Sequence, residues 1–184
     1  MAMDAVWSGD FAATTSLIAE IEAICEATGS RVPPYPAMYL TGLQGREAEG
    51  APLIQATIKW ATTAGQGGTV TRAYWTAAIL YNGLGRHKEA LAAARQASEN
   101  AHPHMSPWAL PELIEAAIRV GSTDIASDAL DRLAQTTRAV GTEDALGIEA
   151  RSLVHHGLAR SGKDSGAPVT GGPSPCSLDL RGPA

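Results

Sequence analysis

AYWTAAILYNGLGRHKEALAAARQASENAHP, from Ala73 to Pro103, decides the fold. Tyr74, Ala77, Ala78 and Tyr81 recur at three- and four-residue spacing, the period of a helix face, and Gly83-Leu84-Gly85 breaks that run. The following KEALAAARQASEN is built from Ala, Leu, Glu and Arg, all strong helix formers, so a second helix follows at once. Two helices joined by a short glycine turn make a hairpin. Small residues such as Ala90 and Ala97 let its helices cross closely, while Tyr74 and Tyr81 fill the space beside the crossing.

The same grammar extends in both directions. Phe11, Ile18, Ile21 and Ile24 predict a helix over 10–28 that stops at Thr28-Gly29. Pro33, Pro34 and Pro36 open a short helix carrying Met38, Tyr39, Leu40 and Leu43, since proline is tolerated in a first turn. A helix over 47–64 carries Leu53, Ile54, Ile58 and Trp60, and Thr69 or Thr71 is expected to cap the next, which runs to Asn82. Beyond the opening hairpin, Ser106-Pro107 predicts a capped helix over 107–120, Asp124 to Arg138 another, and Thr142 with Glu143 and Asp144 a last one fading near Ser161. Gly9, Gly45, Gly85 and Gly121 each precede a second helix and stand 36, 40 and 36 residues apart. A period of that size marks stacked helical hairpins.

Composition narrows the function. The 184 residues suffice for one domain, and 45% hydrophobic content with only 5% aromatic suits alanine-rich helix packing. A formal charge of -5 and the lack of any basic run argue against direct nucleic-acid binding. Cys25 and Cys176 lie too far apart in sequence and in character to suggest a disulfide framework, and the first residues do not form a secretory signal. No apolar stretch approaches the roughly 20 residues of a membrane span. A cytoplasmic protein with no membrane partner is the expectation. Residues 1–160 form the expected helical domain, and 161–184, with five glycines and four prolines, an expected disordered tail.

The Ala73–Pro103 stretch resembles a tetratricopeptide repeat over its whole length, with Gly85 at the turn and Ala90 and Ala97 at the small contacts. Other copies are weaker: Gly50 stands where the repeat usually has alanine, and Pro34 where it usually has an aromatic. WSGDFAATTSLIAEI, from Trp7, is similar only to the turn and second helix of a unit. The resemblance implies an all-α, right-handed superhelical stack of helix-turn-helix hairpins. WSGDFAATTSLIAEIEAICEATG, the AYWTAAILYNGLGRHKEALAAARQASE run, WALPELIEAAIRVG and GIEARS also resemble, over residues 7–152, the helical middle region of large actinobacterial LuxR-type transcriptional regulators. In that family an ATPase precedes the repeats and a helix-turn-helix DNA-binding domain follows. After Arg151-Ser152 the chain departs from that pattern. With eleven Arg to three Lys, its tail has the composition of out-of-frame GC-rich coding, so a product truncated at both ends is expected.

The resemblance implies a protein or small effector bound on the concave surface, which the first helix of each pair lines. Carried over residue by residue, that surface takes Arg72, Trp75, Ile79 and Asn82 from the best repeat. Tyr35, Tyr39, Trp108, Glu112 and Glu115 join them from its neighbours. Trp75 and Trp108 have an equally simple alternative as packing between hairpins. A free-standing scaffold that binds a peptide is the other functional reading, and missing half-repeats at the ends imply self-association. No catalytic residue, metal site or cofactor is expected. His102, His104, His155 and His156 lack companions at ligand spacing, Cys25 lacks a recognisable base, and the near-P-loop Gly157 to Asp164 has Asp164 in place of the magnesium-binding hydroxyl and no preceding strand.

Overall fold

The computed structural model describes residues 2–99 and 106–164, and every regular element among them is helical. The elements are α1 (Ala2–Trp7), α2 (Phe11–Thr28), α3 (Tyr35–Leu43), α4 (Glu47–Thr63), α5 (Gly67–Gly83), α6 (His87–Glu99), a 3-10 turn (Ser106–Ala109), α7 (Leu110–Val120), α8 (Thr123–Val140) and α9 (Glu143–Asp164). The expected tail lies outside the described residues from 165 onward, as do His102, His104 and Cys176.

The turns repeat because the backbone closes them in one way. Gly45 adopts φ +66° and Gly85 φ +73°, a left-handed conformation that residues with a Cβ resist. At each, the glycine N–H and the next N–H reach back to close the preceding helix: Gly45 to the Gly42 carbonyl and Arg46 to that of Thr41, Gly85 to Asn82 and Arg86 to Tyr81. An arginine follows both glycines and pairs with a glutamate three residues on, Arg46 with Glu49 at 3.0 Å and Arg86 with Glu89 at 2.9 Å. Arg86 also reaches Glu47 of the preceding pair. These exposed ions add little stability, but they sit at equivalent places one repeat apart.

Each helix packs on its sequence neighbour. In addition α1 touches α3, α3 touches α5, α5 touches α7 and α7 touches α9, whereas no backbone approach joins α4 to α6 or α6 to α8 among the described residues. The first members of successive pairs therefore form a continuous row, here called the inner row, and the second members do not approach one another. The main core lies between this row and the second helices: Met38, Ala73, Ala77, Ala78, Leu80, Leu110, Leu113 and Ile114 of the row are buried together with Ile54 on α4, Ala93 and Ala94 on α6 and Leu133 on α8. Alanine keeps helices close, and the few leucines and isoleucines supply most of the buried volume.

Two expectations need correction. Neither Thr69 nor Thr71 caps α5, which begins at Gly67. The Thr71 hydroxyl donates to the Gly67 carbonyl within the helix, and that of Thr69 bonds the Tyr35 hydroxyl and the Gln66 side chain. Residues 107–120 are not one α-helix, because Pro111 would clash with the carbonyl of residue 107; a 3-10 turn holds Pro107 and α7 starts at Leu110. Gly50 lies at a close crossing of α3 and α4: a Cβ there would sit 3.0 Å from the Thr41 hydroxyl oxygen and 3.2 Å from its Cβ, tighter than ordinary contact. The last helix opens at Thr142, whose hydroxyl accepts from the Ala145 N–H at 3.4 Å, and continues to Asp164.

The two ends of the stack carry exposed apolar side chains, Phe11 and Ile24 on α2 and Leu146, Ile148 and Leu153 on α9. No helix among the described residues is long and apolar enough to cross a membrane.

Candidate functional site

The inner row brings the nine candidate residues into one strip. On α5, Arg72, Trp75, Ile79 and Asn82 are spaced three, four and three residues apart and so share a face. Tyr35 and Tyr39 stand one turn apart on α3, beside them. The Tyr35 ring lies 4.8 Å beneath the Arg72 guanidinium, and its hydroxyl is 2.7 Å from that of Thr69. Tyr39 meets Trp75 edge-on, with centroids 5.1 Å apart, and Trp75 meets Trp108 in the same manner at 5.3 Å. Further along, the Asn82 side-chain amide donates to the backbone carbonyl of Glu112 at 3.1 Å and to its carboxylate at 2.9 Å, tying α5 to α7. Glu115 follows one turn after Glu112 and is half-buried.

The strip is not open along its length. Tyr39 is 1% exposed and Trp75 7%, so neither lines a free surface, and Asn82 is buried as well. Part of the cover over Tyr39 and Trp75 is α1, which sequence reasoning missed. Val6 is 2% exposed and packs with Tyr39, Trp75, Ala97 and Ala109, with Met3 and Ile79 at the margin. Trp7 stands over the cluster, its ring 5.8 Å from Tyr39, 6.0 Å from Trp75 and 6.2 Å from Trp108. Trp7 and Trp108 remain about half exposed, at 53% and 51%. A signal for α1 was present, since Met3, Val6 and Trp7 fall at helical spacing, but Ser8-Gly9-Asp10 directed attention to the turn and away from the six residues before it.

Several polar atoms in the strip are buried without a partner. The Tyr39 hydroxyl, the Trp75 indole nitrogen and the Asn82 side-chain oxygen are among them. Each such atom costs roughly 1–3 kcal/mol relative to a satisfied one. Burial pushes the Tyr39 phenol far above the ordinary tyrosine range, against the opposing influence of Arg72 and the nearby Thr76 hydroxyl. The phenol therefore stays a neutral donor.

Burial also raises the Glu112 carboxyl, although the residue as a whole is only half-buried. The Asn82 bond opposes the rise, the Glu115 charge adds to it, and Arg151 on α9 opposes it. A carboxyl with a raised value holds its proton more tightly in the folded chain than in the unfolded one. The wild-type chain therefore loses stability as pH climbs above the unfolded carboxylate range, about 4.3. Glu112→Gln, which keeps an acceptor for Asn82, is expected to unfold at higher urea than wild type at pH 7.5, with the gap closing as pH falls toward 4. A gap that widens on acidification would show instead that the charge stabilises the fold.

Among the described residues no group of three or more His, Cys, Asp or Glu side chains is placed to hold a metal ion, and Cys25 is a half-buried free thiol. The backbone from Gly157 to Asp164 is the end of α9, so the amide cradle of a phosphate loop does not form there. A cleft of about 240 Å³ opens between α6, α7 and α8, where the outer helices stand apart. It holds none of the candidate residues, and its two arginines are engaged, Arg95 with Glu99, and Arg132 with Asp128 and the Ser98 carbonyl.

No protein-family model, curated protein or solved structure matches this chain.

Proposed function

We propose that this chain is the partner-binding helical-repeat segment of a LuxR-type transcriptional regulator. In this reading the inner row of α3, α5, α7 and α9 is the concave side of a right-handed tetratricopeptide-like superhelix in the cytoplasm. It receives a protein or small effector, and the exposed apolar ends of α2 and α9 join copies to one another. The observation that carries the reading is the convergence of Tyr39, Trp75 and Trp108 from three successive helix units on one strip, with Trp108 half exposed at its edge. Aromatic anchors of that kind dominate binding surfaces.

Trp108 is the residue to test, because its exposure lets it be removed without hollowing the core. Wild-type and Trp108→Ala chains, immobilised and exposed to extract of the native host, are expected to differ by a protein or small molecule that only the wild type retains. Identical retention by both would remove the strip as the binding surface. An ATPase segment and a helix-turn-helix segment encoded on either side of the reading frame support the regulator. Their absence, with Trp108-dependent capture intact, leaves a free-standing scaffold.

A further inference from the structure

We propose that His87 makes the junction between the α5–α6 and α7–α8 pairs a proton-operated joint, closed while its imidazole is neutral and loosened when the ring takes a proton. The joint does not require that the strip bind a partner.

The repeat itself singles the residue out. Gly45-Arg46-Glu47 and Gly85-Arg86-His87 occupy equivalent places at the starts of α4 and α6. Glu47 spans the junction to the next pair by meeting Arg86. His87 stands where Glu47 stands one repeat earlier, but the following pair opens its second helix with Gly121-Ser122-Thr123 and has serine at the place of the arginine. One junction is thus bridged by two groups that keep their charges near neutral pH, and the next carries a ring that titrates there.

The surroundings of the ring suit its neutral form. His87 is half-buried in the first turn of α6, and its Nδ1 is buried with no hydrogen-bond partner among the described residues. A neutral imidazole tolerates this by keeping its proton on Nε2 and a lone pair on Nδ1. An imidazolium carries a proton on both nitrogens, so its Nδ1–H would be a buried cationic donor without an acceptor.

The neighbouring charges do not make up that deficit. On α7, the helix against which α6 packs, Arg119 opposes a positive ring and Glu115 favours one. Burial is the largest influence, and the balance holds the ring below the ordinary histidine range. Within its own turn, Arg86 is engaged by Glu89 and Glu47, and Lys88 is exposed. On the α5 side the Tyr81 ring lies 4.8 Å beneath the Arg86 guanidinium, and the 3-10 turn contributes no ionisable side chain. The amino end of α6 adds a positive potential of its own. A protonated ring is therefore driven out of its place beside α7, and the contact between the two pairs weakens with it.

The test compares wild type with His87→Gln, whose side chain stays neutral at every pH. A histidine held below its unfolded value contributes stability above about pH 6.5 and loses it as pH falls. Between pH 7.5 and 5.5 the unfolding constant of wild type relative to the variant, from urea denaturation, is expected to rise at least about threefold. Glu112, linked to Asn82 across the same junction, responds to acid in the opposite sense, which is why the two chains differ at position 87 alone. A ratio that stays constant, or falls, overturns the proposal.

A second measurement reads the joint itself. Spin labels are placed at Gln96→Cys on α6 and Gln135→Cys on α8, both exposed positions, in a chain carrying Cys25→Ser and Cys176→Ser. The distance distribution from double electron–electron resonance should broaden on going from pH 7.5 to 5.5 with His87 present, and keep its shape with His87→Gln. No change in either chain, or the same change in both, also overturns the proposal.

Discussion

Replacing Leu80 with alanine is expected to lower the unfolding free energy by roughly 2–5 kcal/mol, in the upper part of that range. Leu80 is fully buried on α5, the helix that packs against α3, α4, α6 and α7. The loss on such a substitution depends on whether neighbours can move into the hole. The core cluster around it is rich in alanines, Ala73, Ala77, Ala78, Ala93 and Ala94 among them, side chains without a torsion that would reach into a hole. On the α4 side it meets Gly50, where an added Cβ would lie 3.6 Å from a Leu80 methyl. Urea denaturation followed by circular dichroism reads the effect. A shift worth less than about 1 kcal/mol would mean that the helices close around the gap, which packing at this density does not permit.

The second large effect is at Trp75. Trp75→Ala is expected to cost roughly 3–5 kcal/mol, because it removes the ring on which Trp7, Tyr39 and Trp108 all rest. Trp75→Phe should cost far less, below about 1.5 kcal/mol, since it retains most of the apolar volume and deletes an indole N–H that has no partner to lose. The contrast is diagnostic. If phenylalanine proved as damaging as alanine, the indole nitrogen would have an acceptor in solution. The alanine variant should also release Trp7, seen as tryptophan emission shifted to the red before any loss of helix.

The contrast between these two sites shows what could be read in the sequence. Leu80 and the alanines around it follow from period and composition, and the helix limits from Gly45, Gly85 and Gly121, because a left-handed glycine stops a helix wherever it stands. Spacing also put Arg72, Trp75, Ile79 and Asn82 on one face. It did not say what lay above that face, because the answer came from six residues too few to show two full turns of pattern. The close packing at Gly50 was not legible for a related reason. It is set by Thr41 on another helix, and a repeat alignment compares equivalent positions, not facing ones. The turn at Ser106–Ala109 depended on two prolines four residues apart acting together, where each alone would have suited a helix start.

One consequence of the inner row concerns how such a chain changes length. Apart from the Val6 and Trp7 side chains of α1, each helical pair rests on the pairs directly before and after it among the described residues. Adding or excising a whole hairpin therefore disturbs two junctions, whatever the total number of units. A gene that duplicates such a unit in frame lengthens the protein without having to reinvent its interior.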